Sequence, residues 1–341
     1  MKDQSNHCAS MSLSEASSIS CGLLEKVSSV IFGQEELVTE ALCTFLAGGH
    51  ILMTGAPGLA KTTLVRVISR ALGMHSGRIQ FTPDLLPSDI TGSEVLNIDG
   101  ENGRRHFDFI RGPVFSNLLL ADEINRASPR TQSAMLEAMQ ERQVTVGGKV
   151  YPLPEPFMVF ATQNPFESEG TFPLPEAQLD RFLLHSIVDY PDKSAELAIL
   201  KAHSSGQLAA AGSDHTVLDA ETIRQLMLQT NAISCDESIL ELINDLIRSS
   251  RPEDESCPAN LKPFIWYGAG PRAGISLISA SRAFAMMSQD ETVRWRHIRR
   301  MAVPVLRHRI RLTMDGVQDE YDEARLIMEL IENLEQKHRP E

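Results

Sequence analysis

Three stretches of the chain are short, unbroken apolar runs that stop at polar residues: Ile51-Leu52-Met53, Leu118-Leu119-Leu120-Ala121 and Phe157-Met158-Val159-Phe160-Ala161. Runs of this length without polar alternation predict strands buried on both faces, as in the middle of a parallel sheet. Arg78-Ile79-Gln80-Phe81 reads as a further strand. Helix-period stretches lie between these runs. Leu37, Ala41, Leu42 and Phe45 mark one face of a helix over 35–47 that stops at Gly48-Gly49. Thr63–Leu72 forms a second helix, ended by Gly73, and Arg130–Arg142 a third, amphipathic one. Polar turns at Asp99-Gly100-Glu101-Asn102-Gly103 and at Gly147-Gly148 predict two hairpin insertions, near 93–110 and 143–152. Ahead of all this, Met1 to about Ser20 is polar and Ser-rich, as mobile termini are, and Leu23–Val30 has room for one short helix.

The pattern changes after Tyr190. Asp192–Ala202 is helical, Gly206–Gly212 is a small-residue loop, and helices follow over 221–229, 238–248, 275–287, 292–308 and 321–336. Only Phe264–Tyr267 in this half resembles a strand. An alternating segment followed by a helical one predicts two domains. The expected organisation is a flexible polar tail over 1–24, an α/β domain over 25–191 and a helical domain over 192–341, and a length of 341 residues agrees with it.

Composition narrows the partners. A formal net charge of -13 argues against a general nucleic-acid binder, which needs basic surface. The arginines at 294, 296, 299, 300, 307, 309 and 311 then read as the solvated or interface face of a helix. Five scattered cysteines without a C-x-x-C pair fit a reducing compartment and exclude a disulfide framework. No run nears the roughly 18 apolar residues of a membrane span, and no apolar leader segment stands at the N-terminus, so a cytoplasmic location is expected.

The chemistry starts where the first apolar run ends, at Gly55-Ala56-Pro57-Gly58-Leu59-Ala60-Lys61-Thr62-Thr63. This is the phosphate-binding pattern G-x-x-x-x-G-K-S/T, with Ala60 in place of the second glycine. Glycines let the backbone take φ > 0 and approach a ligand closely. Successive amides form a concave anion site, and the following helix adds its unsatisfied N–H groups and positive dipole end. Lys61 supplies a charge for the β- and γ-phosphates, and Thr62 a hydroxyl for Mg²⁺. Ala60 is tolerable if its backbone is already helical. The second apolar run delivers Asp122 and Glu123 at its carboxyl end, where open parallel sheets bind ligands. Asp122 is placed to hold Mg²⁺ beside Thr62, and Glu123 to polarise a water. The third run delivers Gln163-Asn164, an amide able to orient that water. Arg181 and Arg272 are further cations that chemistry alone reads equally well as surface arginines.

Together and in this order the motifs resemble those of AAA+ ATPases, and within them the MoxR family. VIFGQEELVTEAL and GHILMTGAPGLAKT are similar to the family's N-terminal segment and Walker A, and LLLADEINRASPRTQSAMLEAMQE to its Walker B and following helix. FMVFATQNP looks like sensor 1, giving Asn164; EGTFPLPEAQLDRFLL like the arginine-finger segment, giving Arg181; GAGPRAGISL like sensor 2, giving Arg272; and PVLRHRI like the end of the lid domain. The resemblance spans about residues 30–311. It implies an αβα P-loop core with a C-terminal helical lid, ATP and Mg²⁺, and assembly into a homo-oligomeric ring, commonly a hexamer. The hairpins resemble the insertions of the helix-2-insert branch. Family members are chaperone-like ATPases in the maturation of protein complexes, sometimes in metal insertion, often beside a separate protein with a von Willebrand factor A domain.

In that frame Lys61, Glu123, Asn164 and Arg181 carry catalysis. Gly55 through Thr63 and Arg272 bind nucleotide, and Thr62 and Asp122 hold the metal. Arg272 is expected on its own subunit's nucleotide and Arg181 on a neighbour's, with Arg130 and Arg142 as alternative trans-acting arginines. Three other readings compete: a motor on nucleic acid or in metal chelation, a nucleotide-gated scaffold without turnover, and a small-molecule P-loop kinase. The acidic balance opposes the nucleic acid. The joint presence of Glu123, Asn164 and Arg181 opposes the scaffold, and the helical second half opposes the kinase.

Overall fold

The computed structural model describes residues 11–56, 58–98, 105–165, 170–205, 218–318 and 321–338. The first half runs α1 (Leu13–Ser28), α2 (Glu35–Leu46), β1 (Ile51–Gly55), α3 (Lys61–Ala71), β2 (Ser76–Gln80), α4 (Pro87–Thr91), β3 (Gly92–Ile98), β4 (Arg105–Arg111) and β5 (Leu118–Asp122). It continues with α5 (Pro129–Glu141), β6 (Gln143–Val146), β7 (Lys149–Pro152), β8 (Met158–Gln163), α6 (Glu176–Leu179) and β9 (Leu184–Val188). The second half has α7 (Lys193–Ser204), α8 (Ala220–Ala232), α9 (Glu237–Ser249), β10 (Ile265–Tyr267), α10 (Pro271–Met287), α11 (Trp295–Leu306), β11 (Arg311–Leu312), α12 (Met314–Gln318) and α13 (Glu323–His338).

The central sheet has five parallel strands in the order β2-β5-β8-β1-β9. The unbroken apolar runs explain its position. Alternate side chains of one strand feed two cores on opposite faces: Ile51, Met53, Leu118, Leu120 and Phe160 join α2 and α3, while Leu52, Leu119, Val159 and Ala161 join α5. Each of the larger side chains among these, fully buried, contributes about 1.5–3 kcal/mol. Both expected hairpins form, β3 with β4 and β6 with β7. The turn at 99–104 lies outside the described residues, as do the loop over 206–217, residues 1–10 and Pro57. Strand β9 carries no apolar run and was not anticipated.

The tail expected through residue 24 is corrected by α1, whose first turns occupy residues 13–24. Ser12 caps the helix by accepting the Glu15 amide at 3.2 Å. In its first turns the inner face is built from small residues, Ala16, Ser17 and Ser20, followed by Leu23 and Val27. The hydroxyl of Ser17 donates to the Met286 carbonyl at 2.6 Å, and Cys21 donates to that of Met287. A polar-looking segment is thus fixed by contact with α10. Helices α1 and α2 share one apolar core with the helices of the second half. There Glu40 of α2 is buried, accepts the hydroxyl of Ser186 on β9, and lies 3.7 Å from Arg300 on α11.

Candidate nucleotide site

Strand β1 leads into the glycine loop, and Gly55 is required by close approach: a Cβ there would lie 2.3 Å from the Val188 carbonyl of β9. Gly58 has φ +85°. Ala60 has φ 58° and ψ 8°, the left-handed region, and α3 begins directly after it. The condition that would make alanine easy to accommodate, a right-handed helical backbone, is therefore not met here. Alanine occupies a conformation that the pattern's glycine adopts freely, at a conformational cost. Lys61 donates from Nζ to the Gly55 carbonyl at 2.6 Å. Burial lowers its pKa, and the charges of Asp122 and Glu123 oppose that shift.

The two acids at the end of β5 are held by neighbours. Asp122 Oδ1 accepts the Thr162 hydroxyl at 2.7 Å, and its Oδ2 pairs with Arg78 at 2.8 Å. Glu123 is also left-handed, φ 57°, and its amide donates to Thr162 Oγ1 at 2.8 Å. That conformation turns its carboxylate toward Gln80 Nε2 at 2.7 Å and Arg126 Nη1 at 3.0 Å. Arg78 and Gln80 come from β2, whose register sets Gln80 opposite Asp122. Asn164, nearly buried at the end of β8, completes a cavity of about 380 Å³. Lys61, Thr62, Thr63, Asp122, Glu123 and Asn164 line it together with Gly58, Leu59 and Ala60. Sequence reasoning missed Arg78, Gln80 and Thr162. The signal present was the polar alternation Arg78-Ile79-Gln80 and the one hydroxyl ending the run at Thr162.

Arg181 and Arg272 lie elsewhere. Arg181 is half-buried in the turn after α6. Arg272, at the start of α10, points to Asp180, its Nη1 3.6 Å from Oδ2. Both are absent from the lining of the phosphate-loop cavity. Arg272 instead lines a second cavity, of about 640 Å³, with Asp180, Trp266, Tyr267 and Arg309. Arg272 thus lies beside the Arg181 turn, paired with the carboxylate of Asp180. Of the alternative arginines, Arg142 donates to the Gly48 carbonyl at 3.1 Å, which ties it to the base of the domain.

The loop, the helix start, Lys61 and the exposed Thr62 hydroxyl facing an acidic pair fit a nucleoside triphosphate and its divalent cation. A five-stranded parallel sheet with this cavity at its carboxyl edge, followed by a helical lid, defines a P-loop ATPase of the AAA+ class. Comparisons agree. The family described as "ATPase family associated with various cellular activities (AAA)" matches residues 50–184, and an AAA lid domain matches residues 259–330. The chain is 39% identical over 295 residues to Chaperone MoxR1 of Mycobacterium tuberculosis, covering 86% of this chain and 76% of that one. It is 38% identical to YeaC of Bacillus subtilis, covering 87% and 89%, and 31% identical to MoxR of Paracoccus denitrificans, covering 83% and 86%. A crystal structure of a Cytophaga hutchinsonii protein assigned as an ATPase superposes with a TM-score of 0.83 at 35% identity, over 93% of this chain and 94% of that one. The chain belongs to the MoxR family of AAA+ ATPases. Among the described residues no helix is long and apolar enough to cross a membrane.

Proposed function

We propose that this protein hydrolyses ATP at sites shared between neighbouring copies in a ring, commonly of six, and uses the cycle to remodel or mature client protein complexes. One observation carries the shared site. Lys61, Asp122, Glu123 and Asn164 line one cavity, and neither Arg181 nor Arg272 does. Phosphoryl transfer spreads negative charge over the γ-phosphoryl, so cations aimed there matter most. A second copy, packed head to tail, can present the pair, and such contacts close into rings.

Within the cavity Lys61 and the loop amides hold the phosphates. Asp122 and Thr62 would hold Mg²⁺, which would supply positive charge against the phosphates. Glu123 accepts a proton from the attacking water, and Asn164 orients it. Before that, Glu123 must leave Gln80 and Arg126, and Asp122 must leave Arg78. Arg181 and Arg272 would act together on the neighbour's nucleotide. The name of the Mycobacterium relative supports a chaperone role. So does the β3–β4 hairpin, which exposes Leu96, Ile98, Phe107 and Ile110. A separate von Willebrand factor A domain protein is a candidate partner. ATP turnover against protein concentration, with particle mass recorded, tests the reading. Specific activity is expected to rise as rings form and to vanish in Arg181→Ala; turnover by a monomer independent of concentration would overturn it.

A further inference from the structure

The lid sequence His308-Arg309 grips the segment that carries Arg181. Arg309 follows α11, and its side chain is 3% exposed. Its guanidinium donates to the backbone carbonyls of Asp180 at 3.3 Å, Phe182 at 2.6 Å and Leu183 at 3.2 Å. Nε donates to Asp180 Oδ1 at 2.8 Å. On the lid side the same group donates to the Val305 carbonyl at 2.6 Å and to Ser276 Oγ at 3.1 Å. His308 Nε2 adds a contact of 3.1 Å to the Phe182 carbonyl. Residues on both sides of Arg181 are therefore fastened by one buried fork whose other contacts are to α10 and α11. A planar five-donor group suits this task, since a lysine could satisfy only part of it. The same Asp180 carboxylate also holds Arg272.

We propose that Arg309 is the positioning residue for Arg181: a lid-borne guanidinium that fixes the turn from which Arg181 reaches the neighbouring copy, so that movement of the lid moves the finger. The proposal rests on the shared-site reading. It makes the second half of the chain part of the trans-acting apparatus. A nucleotide that shifts the lid in one copy then changes the arginine offered to the next.

Mixing inactive variants tests it. Arg309→Met is expected to bind ATP and assemble as wild type does, with kcat reduced by the same order as in Arg181→Ala and KM little changed. Glu123→Gln has a dead cavity and an intact finger. Co-assembled in equal amounts, Arg309→Met and Glu123→Gln should recover about a quarter of wild-type activity, because about one head-to-tail interface in four joins a sound cavity to a sound finger. Arg309→Met mixed with Arg181→Ala should recover nothing, as both lack the finger. The mixture of Arg181→Ala with Glu123→Gln is the control. If it recovers no activity, the shared site itself fails. If it recovers and the Arg309→Met mixture does not, Arg309 is not a positioning residue. Arg309→Lys, which keeps charge and stem but reaches fewer carbonyls, should show an intermediate kcat. It carries the mixing test if Arg309→Met does not melt cooperatively.

Discussion

Replacing Ala60 with glycine should stabilise the protein. Ala60 sits at φ 58° and ψ 8° immediately before α3. A left-handed backbone costs an L-residue with a Cβ about 1–2 kcal/mol. Glycine removes that cost but widens the unfolded ensemble, which subtracts about 0.4–1 kcal/mol. The remainder is a gain of about 0.5–1 kcal/mol, a rise of roughly 1–4 °C in melting temperature. Gly58→Ala supplies the mirror experiment. Its φ is +85°, and a Cβ there meets nothing within 4 Å, so only conformational cost enters. A loss of about 0.5–1 kcal/mol is expected from the same two terms. Urea titration at fixed nucleotide-free conditions reads both as midpoint shifts of opposite sign at constant slope. If Ala60→Gly lowered the midpoint, the alanine would be relaxed, and the strain assigned to this loop would be wrong.

Two further outcomes follow from the same geometry. Arg78 competes with a cation for Asp122 as an exposed partner worth about 0.2–1 kcal/mol, so Arg78→Ala should lower the Mg²⁺ concentration for half-maximal nucleotide binding by a factor of about 1.4 to 5. An increase would mean that the guanidinium holds phosphate instead. Acid should destabilise the fold early: burial pushes His50 down to about 4 and His185 down to about 3, and His308 well below 6.5. The unfolded chain binds these protons near 6.5 and the folded one does not. The contribution is therefore intact above that pH and falls as pH drops toward 4, by up to about 1.4 kcal/mol per pH unit for each ring. Urea midpoints at pH 7, 6 and 5 check this, and a flat profile would contradict it.

The central strands and the loop were legible because burial on both faces leaves no polar alternation, and their ends stand out as Gly55, Asp122 and Asn164. The hairpins were legible through their glycines. The first turns of helix α1 were not, since their buried face is serine and alanine, with Ser17 and Cys21 bound to the Met286 and Met287 carbonyls of a distant helix. Arg78 and Gln80 meet the acids through a strand register of 42 residues' separation, Gln80 opposite Asp122, which no local pattern carries. The pairing of Arg272 with Asp180 depends on where the lid rests on the core, and its sequence motif is silent on that. Ala60 shows the reverse limit: alanine is accommodated most easily in a right-handed helical backbone, and the loop imposes a left-handed one.

The most direct test of ATP hydrolysis at this cavity is to measure ATP binding and phosphate release on one preparation of Glu123→Gln. The hydrogen-bond partners of the carboxylate are Gln80 and Arg126 rather than the phosphate loop, and glutamine keeps its size. ATP should therefore bind as tightly as in wild type, while phosphate release falls by about 10²-fold or more, the scale of a lost general base. Undiminished phosphate release would contradict the assignment, leaving Glu123 as a structural partner of Arg126.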